Sequence, residues 1–170
     1  MVDADHAGNQ EVQNKRKSQN GELGLINETP FYWYSKTSSV AFASAAIGEA
    51  HADTSSGAVE TYAAGNATQN ILGRSYVAEE MGINFPLPFT LEMDNDAARI
   101  FCQGSAQKTK LKHIDCRQEW VRTLRDRNVM IPKHIPTKEN FADIFTKILD
   151  KNTFEHLRDQ LMHPYTPDKI

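Results

Sequence analysis

Two β-prone runs separated by four turn-forming residues set the first constraint on this chain. Glu22-Leu23-Gly24-Leu25-Ile26 and Phe31-Tyr32-Trp33-Tyr34-Ser35-Lys36 flank Asn27-Glu28-Thr29-Pro30. Aromatic and branched side chains suit a pleated surface, and Asn with Pro suits a tight reversal. The runs are therefore expected to pair as an antiparallel hairpin. A short run at residues 1–5 reads as a strand stub, joined to the hairpin by a polar Gly/Asn-rich loop over 6–21. A first strand so short is expected to pair poorly and to fray.

After the hairpin the pattern changes. Residues 37–56 are rich in Ala, Ser and Thr with little periodicity, and 41–54 reads as an insertion. From 57 to 81, Val59, Tyr62, Ala63, Ala67, Asn70, Ile71, Tyr76 and Val77 recur at helical spacing, with Gly82 as the stop. Pro86-Leu87-Pro88 breaks the chain, and Phe89-Thr90-Leu91-Glu92-Met93 alternates as a strand. Helices are expected over 97–102 and over 114–127, the second with Trp120, Val121 and Leu124 inward. A strand at 129–135 ends at Pro136. Thr137-Lys138-Glu139-Asn140 then reads as a helix start, followed by Phe141, Ile144, Phe145 and Ile148 along one side, and 154–162 reads as a last helix or the continuation of this one. This order predicts an α/β fold: a mixed five-stranded sheet flanked by helices. Strand 1 should lie beside the hairpin, two later strands should add in parallel, and helix 57–81 should cover one face.

A chain of 170 residues fits one domain, here 1–162, with a Pro-rich C-terminal tail at 163–170. No run approaches 18 apolar residues, so no membrane span is expected. The first residues lack the pattern of a secretion signal. Cys102 and Cys116 lack metal-binding spacing and read as ordinary thiols of a reducing compartment, which points to an intracellular protein. A net charge of −3 is poor for wrapping nucleic acid, but residues 105–127 hold seven basic against three acidic side chains, a local +4. Lys15-Arg16-Lys17 is a second basic spot. Taken alone, both are as well explained by solvated surface.

Acids recur at the ends of the expected elements: Asp3 and Asp5 at the first strand, Glu60 early in the long helix, Asp94 after the fourth strand, Asp143 after Pro136. Sites in α/β sheets gather where strand ends meet helix starts. Carboxylates brought together there repel unless cations sit between them, and hard oxygen ligands suit Mg²⁺ or Mn²⁺. Two such ions form a clamp for in-line phosphoryl displacement. Each acid also has a plainer reading: Asp94-Asn95-Asp96 as a turn and helix cap, Glu60 and Asp143 as helix-dipole partners, Asp3 as a solvated terminal residue.

The motifs taken in order go further. Val2-Asp3-Ala4-Asp5-His6-Ala7-Gly8 resembles the DADWAG start of the ribonuclease H domain in copia-type LTR retrotransposon polyproteins, with His6 in place of its tryptophan. Residues 17–21 and 30–36 resemble that family's RSTSG and PISWKSK segments, and 55–60 its SSTEAE. Met93-Asp94-Asn95-Asp96-Ala97-Ala98 resembles CDNQAA, and 109–117 is close to RTKHIDIR. Ile135-Pro136-Thr137-Lys138-Glu139-Asn140-Phe141-Ala142-Asp143-Ile144-Phe145-Thr146-Lys147 is similar to VPTEEQLADIFTK almost position by position. The resemblance covers about residues 2–162.

The resemblance implies a ribonuclease H-like fold and a two-metal endoribonuclease that hydrolyses the RNA strand of RNA–DNA hybrids during reverse transcription. It implies two Mg²⁺ (or Mn²⁺) ions held by Asp3, Glu60, Asp94 and Asp143, which are also the catalytic residues. Asp5 is the second choice for the first ligand, and Glu49 replaces Glu60 in an alternative alignment. Substrate contacts fall on Lys17, Ser55, Ser56, Gly57, Lys110, Lys112, His113 and Arg117, with Ser55 to Gly57 placed to sense a 2′-hydroxyl. His113 is as well read as a loop-pinning residue, and His134 as a strand residue. The implied partners are the hybrid and an upstream reverse transcriptase domain of the same polyprotein. The implied setting is cytoplasmic, including virus-like particles. A second functional reading keeps the fold without the activity, as a hybrid-binding or structural module.

Overall fold

In a computed structural model the chain is described over residues 1–5, 18–37, 52–103 and 112–162, with backbone alone at 52–58, 61, 97, 101 and 112–118. Three strands, β1 (Val2–Asp5), β2 (Gln19–Ile26) and β3 (Thr29–Thr37), form an antiparallel sheet in the order β1-β2-β3. Two more, β4 (Phe89–Met93) and β5 (Met130–His134), pair in parallel. Helices α1 (Ala52–Glu80), α2 (Asp96–Gln103), α3 (Lys112–Asp126) and α4 (Lys151–Leu161) complete the fold, with two 3₁₀ turns at Thr137–Glu139 and Phe141–Phe145.

All five expected strands are present, but their hydrogen-bonded ladders divide them three and two rather than joining them in one sheet. The reason lies at the β1–β4 seam. Met1 and Leu23 exchange backbone bonds (2.8 and 3.0 Å), so antiparallel alternation turns the Val2 and Ala4 backbone groups to the far edge, toward β4. There the Asn140 side-chain amide donates to the Val2 carbonyl at 3.3 Å, filling part of the space a ladder would take. β1 nonetheless pairs with β2 over all four residues, from Val2 with Glu22 to Asp5 with Gln19, contrary to the fraying expected of it.

The hairpin turns at Asn27 and Glu28 alone, both at positive φ (50° and 63°), the two-residue form whose twist matches the strands. Thr29 and Pro30 thus belong to β3 and not to the turn, and β2 begins at Gln19 where a loop to residue 21 was expected. Pro30 is tolerated because, among the described residues, β3 is an edge strand. The register shifts at Gly24/Leu25, and a Cβ on Gly24 would lie 2.7 Å from the Phe31 ring.

The core lies between the sheets and α1. Val2, Ala4, Leu91, Met93 and Met130 meet Val59, Ala63 and Ala67 of α1, with Cys102 of α2 and Val121 of α3 closing the end. Alanines on α1 allow close approach to β1, and each buried Met or Val contributes about 1.5–3 kcal/mol. α1 begins at Ala52, so the last three residues of the expected insertion are helical; its remainder, 41–51, lies outside the described residues, as does the tail. The buried line continues through Leu72 and Ser75, which turns Tyr76 and Val77 about 100° and 200° away and exposes both. Trp120 is likewise on the outer side of α3, while Val121 is buried.

The largest departure is at 137–148. A continuous helix was expected, but two 3₁₀ turns form instead, broken at Asn140, whose φ/ψ of −83°/93° is extended. Ile148 is fully exposed. A separate α4 starts after Asp150, whose carboxylate accepts from the Asn152 and Thr153 amides.

The Phe141–Phe145 turn packs tightly on β2. A Cβ on Gly21 would lie 2.6 Å from Thr146 Cγ2, 2.9 Å from the Ala142 carbonyl and 3.0 Å from Phe145 Cβ. Gly21→Ala should therefore cost about 1–3 kcal/mol by overpacking, read by chemical denaturation. An unchanged midpoint would mean that the turn yields freely.

Candidate active site

Three elements deliver three acids to one place. Asp3 is the second residue of β1; its neighbours Val2 and Ala4 face the core, so strand alternation turns Asp3 to the opposite side. Asp94 follows directly on β4, and Asp143 sits in the 3₁₀ turn pressed onto β2. One carboxylate oxygen from each lies within 4.8 Å of the other two. Asp3 and Asp143 are buried and Asp94 is half-buried.

Two asparagines hold the acid-bearing segments. The fully buried Asn140 donates to Asp94 Oδ1 at 3.2 Å as well as to Val2, and its own oxygen accepts from the Ala142 amide at 3.2 Å. It thereby ties β1, the end of β4 and the Asp143 turn together. Asn95 Oδ1 caps α2 by accepting from the Ala98 amide at 3.1 Å, and Asn95 Nδ2 donates to Glu60 Oε1 at 2.9 Å. The cap expected at 94–96 is thus real, but it is Asn95 that makes it, leaving Asp94 for the cluster.

Lys147 and Thr146 complete the centre. Lys147 Nζ lies 2.9 Å from Asp143 Oδ1 and 3.3 Å from Asp3 Oδ1, and the Thr146 hydroxyl donates to Asp3 Oδ2. Three carboxylates against one ammonium leave two negative charges. At an effective dielectric near 20, each carboxylate pair at this separation repels by about 3–4 kcal/mol.

That repulsion, added to burial, raises Asp143 and its neighbour Glu60. Burial is the first cause that pushes Asp143 up to about 6; Asp3 and Asp94 push the same way, while Lys147 opposes them. Burial likewise pushes Glu60 up to about 8, with Asp3 and Asp94 adding to it and Asn95 and Lys147 opposing. Burial lowers the Lys147 ammonium, but its bond to Asp143 and the charges of Asp3, Asp143 and Asp94 outweigh that and raise it.

Both raised acids bind protons more tightly folded than unfolded. Their contribution to stability is complete below the unfolded values near 4 and is lost as pH climbs through about 6 and then about 8. Burial also lowers the Met1 ammonium to about 6, which returns stability between about pH 6 and 8 and offsets Glu60 there. The chain in a chelator should therefore show a melting temperature that falls between about pH 4 and pH 6 and then levels off. A rising profile over that window would contradict the assignment.

Three of the four acids expected from the motifs, Asp3, Asp94 and Asp143, form the group, and Glu60 stands outside it, tied to Asn95. Glu60 belongs to α1, whose register is set by Val59 and Ala63 in the core. Asp5 ends β1 outside the group. Ser55, Ser56 and Gly57 lie in the first turns of α1, one helical turn before Glu60, and Lys112, His113 and Arg117 lie in the first turns of α3, by backbone alone. Lys17, Lys110 and Glu49 are outside the described residues. His134 is an exposed residue at the end of β5, as expected of a strand residue. Asn95, Asn140, Thr146 and Lys147 were not singled out from sequence, although all four lie inside the quoted motifs.

The donor set is all hard oxygen. Two oxygens on one Mg²⁺ at about 2.1 Å stand at most about 4.2 Å apart, so small side-chain rotations would bring these carboxylates onto an ion. The residues therefore fit divalent cations held by Asp3, Asp94 and Asp143, with Glu60 next in reach. Among the described residues no helix is long and apolar enough to cross a membrane.

No protein-family profile matches the chain. It is 28% identical over 154 residues to the retrovirus-related Pol polyprotein from transposon TNT 1-94 of Nicotiana tabacum, and 23% identical over 159 residues to that from transposon RE1 of Arabidopsis thaliana. These alignments take in 91% and 94% of the chain but about a tenth of either polyprotein. Among solved structures it resembles the N-terminal RNase H domain of Rv2228c from Mycobacterium tuberculosis, solved as a fusion with maltose-binding protein. That match has a TM-score of 0.50 at 13% identity, covering 95% of this chain and 96% of the other.

Proposed function

From a chain homologous to plant retrotransposon Pol polyproteins and folded as a ribonuclease H domain, we propose a two-metal endoribonuclease that cuts the RNA strand of RNA–DNA hybrids. The observation that carries this reading is the meeting of Asp3, Asp94 and Asp143, delivered by three separate elements into one 4.8 Å group. Asp3, Asp94 and Asp143 would hold the ions, Mg²⁺ or Mn²⁺, with Glu60 completing the set once its bond to Asn95 is exchanged. Such ions supply an activated water and stabilise the leaving oxygen. The chain's own part is to fix the carboxylates: Asn140 holds Asp94, Thr146 holds Asp3, and Lys147 offsets their charge.

Substrate contacts are assigned by sequence position. Ser55, Ser56 and Gly57 precede Glu60 on α1 and suit the 2′-hydroxyls that distinguish RNA from DNA. Lys110, Lys112, His113 and Arg117 fall in the one stretch of clear positive charge, which suits sugar–phosphate contacts, and Lys17 adds a second point. A chain spanning about a tenth of its relatives is read as one domain of a longer polyprotein, acting beside a reverse transcriptase domain in the cell interior.

Three duplexes of one sequence test this: an RNA–DNA hybrid, double-stranded RNA and double-stranded DNA, each end-labelled and incubated with the chain and Mg²⁺. Internal cuts in the RNA strand of the hybrid alone are expected. Binding of the hybrid with no cut would favour the module without activity, and cuts in all three would refute hybrid specificity.

A further inference from the structure

Lys147 occupies an unusual position for a lysine. Its ammonium sits between Asp3 Oδ1 at 3.3 Å and Asp143 Oδ1 at 2.9 Å, so it already bonds two of the three acids assigned to metal. Only about a third of its side chain is exposed, and the acids it joins come from residues 140 positions apart in sequence, 3 and 143. No other lysine or arginine ion pair found among the described residues joins these acids: Lys133 pairs with Glu92 and Lys151 with Glu155, both toward solvent. Among the described residues no ion pair is found at Asp94; its Oδ1 is met by the neutral amide of Asn140. The three acids are therefore not equivalent toward an incoming ion. An ion drawn to Asp94 meets an amide, whereas an ion that takes the inner oxygens of both Asp3 and Asp143 must first remove an ammonium.

We propose that Lys147 is a resident counter-cation that holds one of the two cation positions until a metal ion displaces it. This rests on the metal reading of the preceding section and adds an order to it. One ion binds readily on the Asp94 side. The other binds weakly, because it competes with an ammonium that is covalently part of the chain and cannot be diluted away. In exchange, the metal-free fold keeps two buried carboxylates compensated. Lys147 is thus a positioning residue that sets the metal concentration at which the site fills.

The test is Mn²⁺ binding to the whole chain, followed by calorimetry and by the loss of the free-ion paramagnetic resonance signal, with no substrate present. The wild-type chain should bind one ion tightly and a second weakly. In Lys147→Met, which keeps the aliphatic stem, the weaker ion should tighten by about tenfold or more, the scale of one charge-assisted pair. Its metal-free melting temperature should fall, and the gain on adding Mn²⁺ should exceed that of the wild type. Lys147→Arg, which keeps the charge, should stay near the wild-type affinities, and Lys151→Met should change neither ion. An unchanged or weakened second affinity in Lys147→Met overturns the proposal. If Lys147→Met is unfolded without metal, saturating Mn²⁺ should restore its helical circular dichroism. Failure to restore it would make Lys147 a fixed structural tie and would also overturn the proposal. A wild-type chain that binds no Mn²⁺ defeats the metal reading itself, an outcome distinct from wild-type binding that Lys147→Met leaves unaltered.

Discussion

Asp94→Asn should abolish hybrid cleavage, by about a thousandfold or more, while leaving the fold intact. Ion contacts at the reacting centre are worth several kcal/mol in the transition state, and Asn offers one neutral oxygen in place of a carboxylate. Stability moves the other way. The substitution removes one of three carboxylates whose oxygens lie within 4.8 Å, each pair repelling by about 3–4 kcal/mol at an effective dielectric near 20. The Asn side chain still offers an acceptor to Asn140 Nδ2, which now bonds Asp94 Oδ1. The metal-free melting temperature of Asp94→Asn should equal or exceed that of the parent. A variant that loses activity by unfolding would refute this placement of Asp94.

Asn140→Ala should give the largest loss of stability of any single substitution near the site. The side chain is fully buried and makes three bonds: to the Val2 carbonyl, to Asp94 and from the Ala142 amide. Its removal strands a buried carbonyl and uncaps the turn that carries Asp143, costing about 3 kcal/mol together. For a domain of this size that corresponds to a fall of about 6–12 °C in melting temperature. Activity should fall as well, since β1, Asp94 and the Asp143 turn lose their common tie. Asn140→Asp should be worse on both counts. It keeps the acceptor for Ala142 but donates to neither partner, and it adds a fourth carboxylate. If Asn140→Ala melts with the parent, the seam is held by something else.

The hairpin, α1, β4 and β5 were legible in the sequence because their signals are local: aromatic runs, helical spacing, a Pro-Leu-Pro break. The segment 137–148 was not. Phe141, Ile144, Phe145 and Ile148 have helical spacing, but the backbone follows Asn140, whose buried side chain satisfies groups on β1 and β4 that no local pattern announces. Trp120, Tyr76 and Val77 failed for a related reason. A stripe on the sequence fixes a helical period, but the face that is buried is chosen by partners, here the alanines and Leu72 that approach the sheet.

The acids show the same division. Composition and spacing could only mark Asp3, Glu60, Asp94 and Asp143 as ends of elements; the motif resemblance grouped them. Neither could rank them, because the ranking depends on Asn95 drawing Glu60 aside and on the 3₁₀ turn pressing Asp143 inward onto Gly21. Lys147 escaped notice because a lysine four residues after an acid reads as an ordinary surface pair. Its second bond, to Asp3, exists only in three dimensions.

If these carboxylates act together through divalent ions to cut RNA in a hybrid, the initial rate of RNA-strand cleavage in a labelled hybrid should depend on Mg²⁺ raised from a chelated zero. No cleavage is expected in chelator, and the rate should rise with an order in Mg²⁺ greater than one, as two ions fill the site. Cleavage that persists in chelator, or a bound hybrid left uncut at every Mg²⁺ concentration, would contradict that joint action.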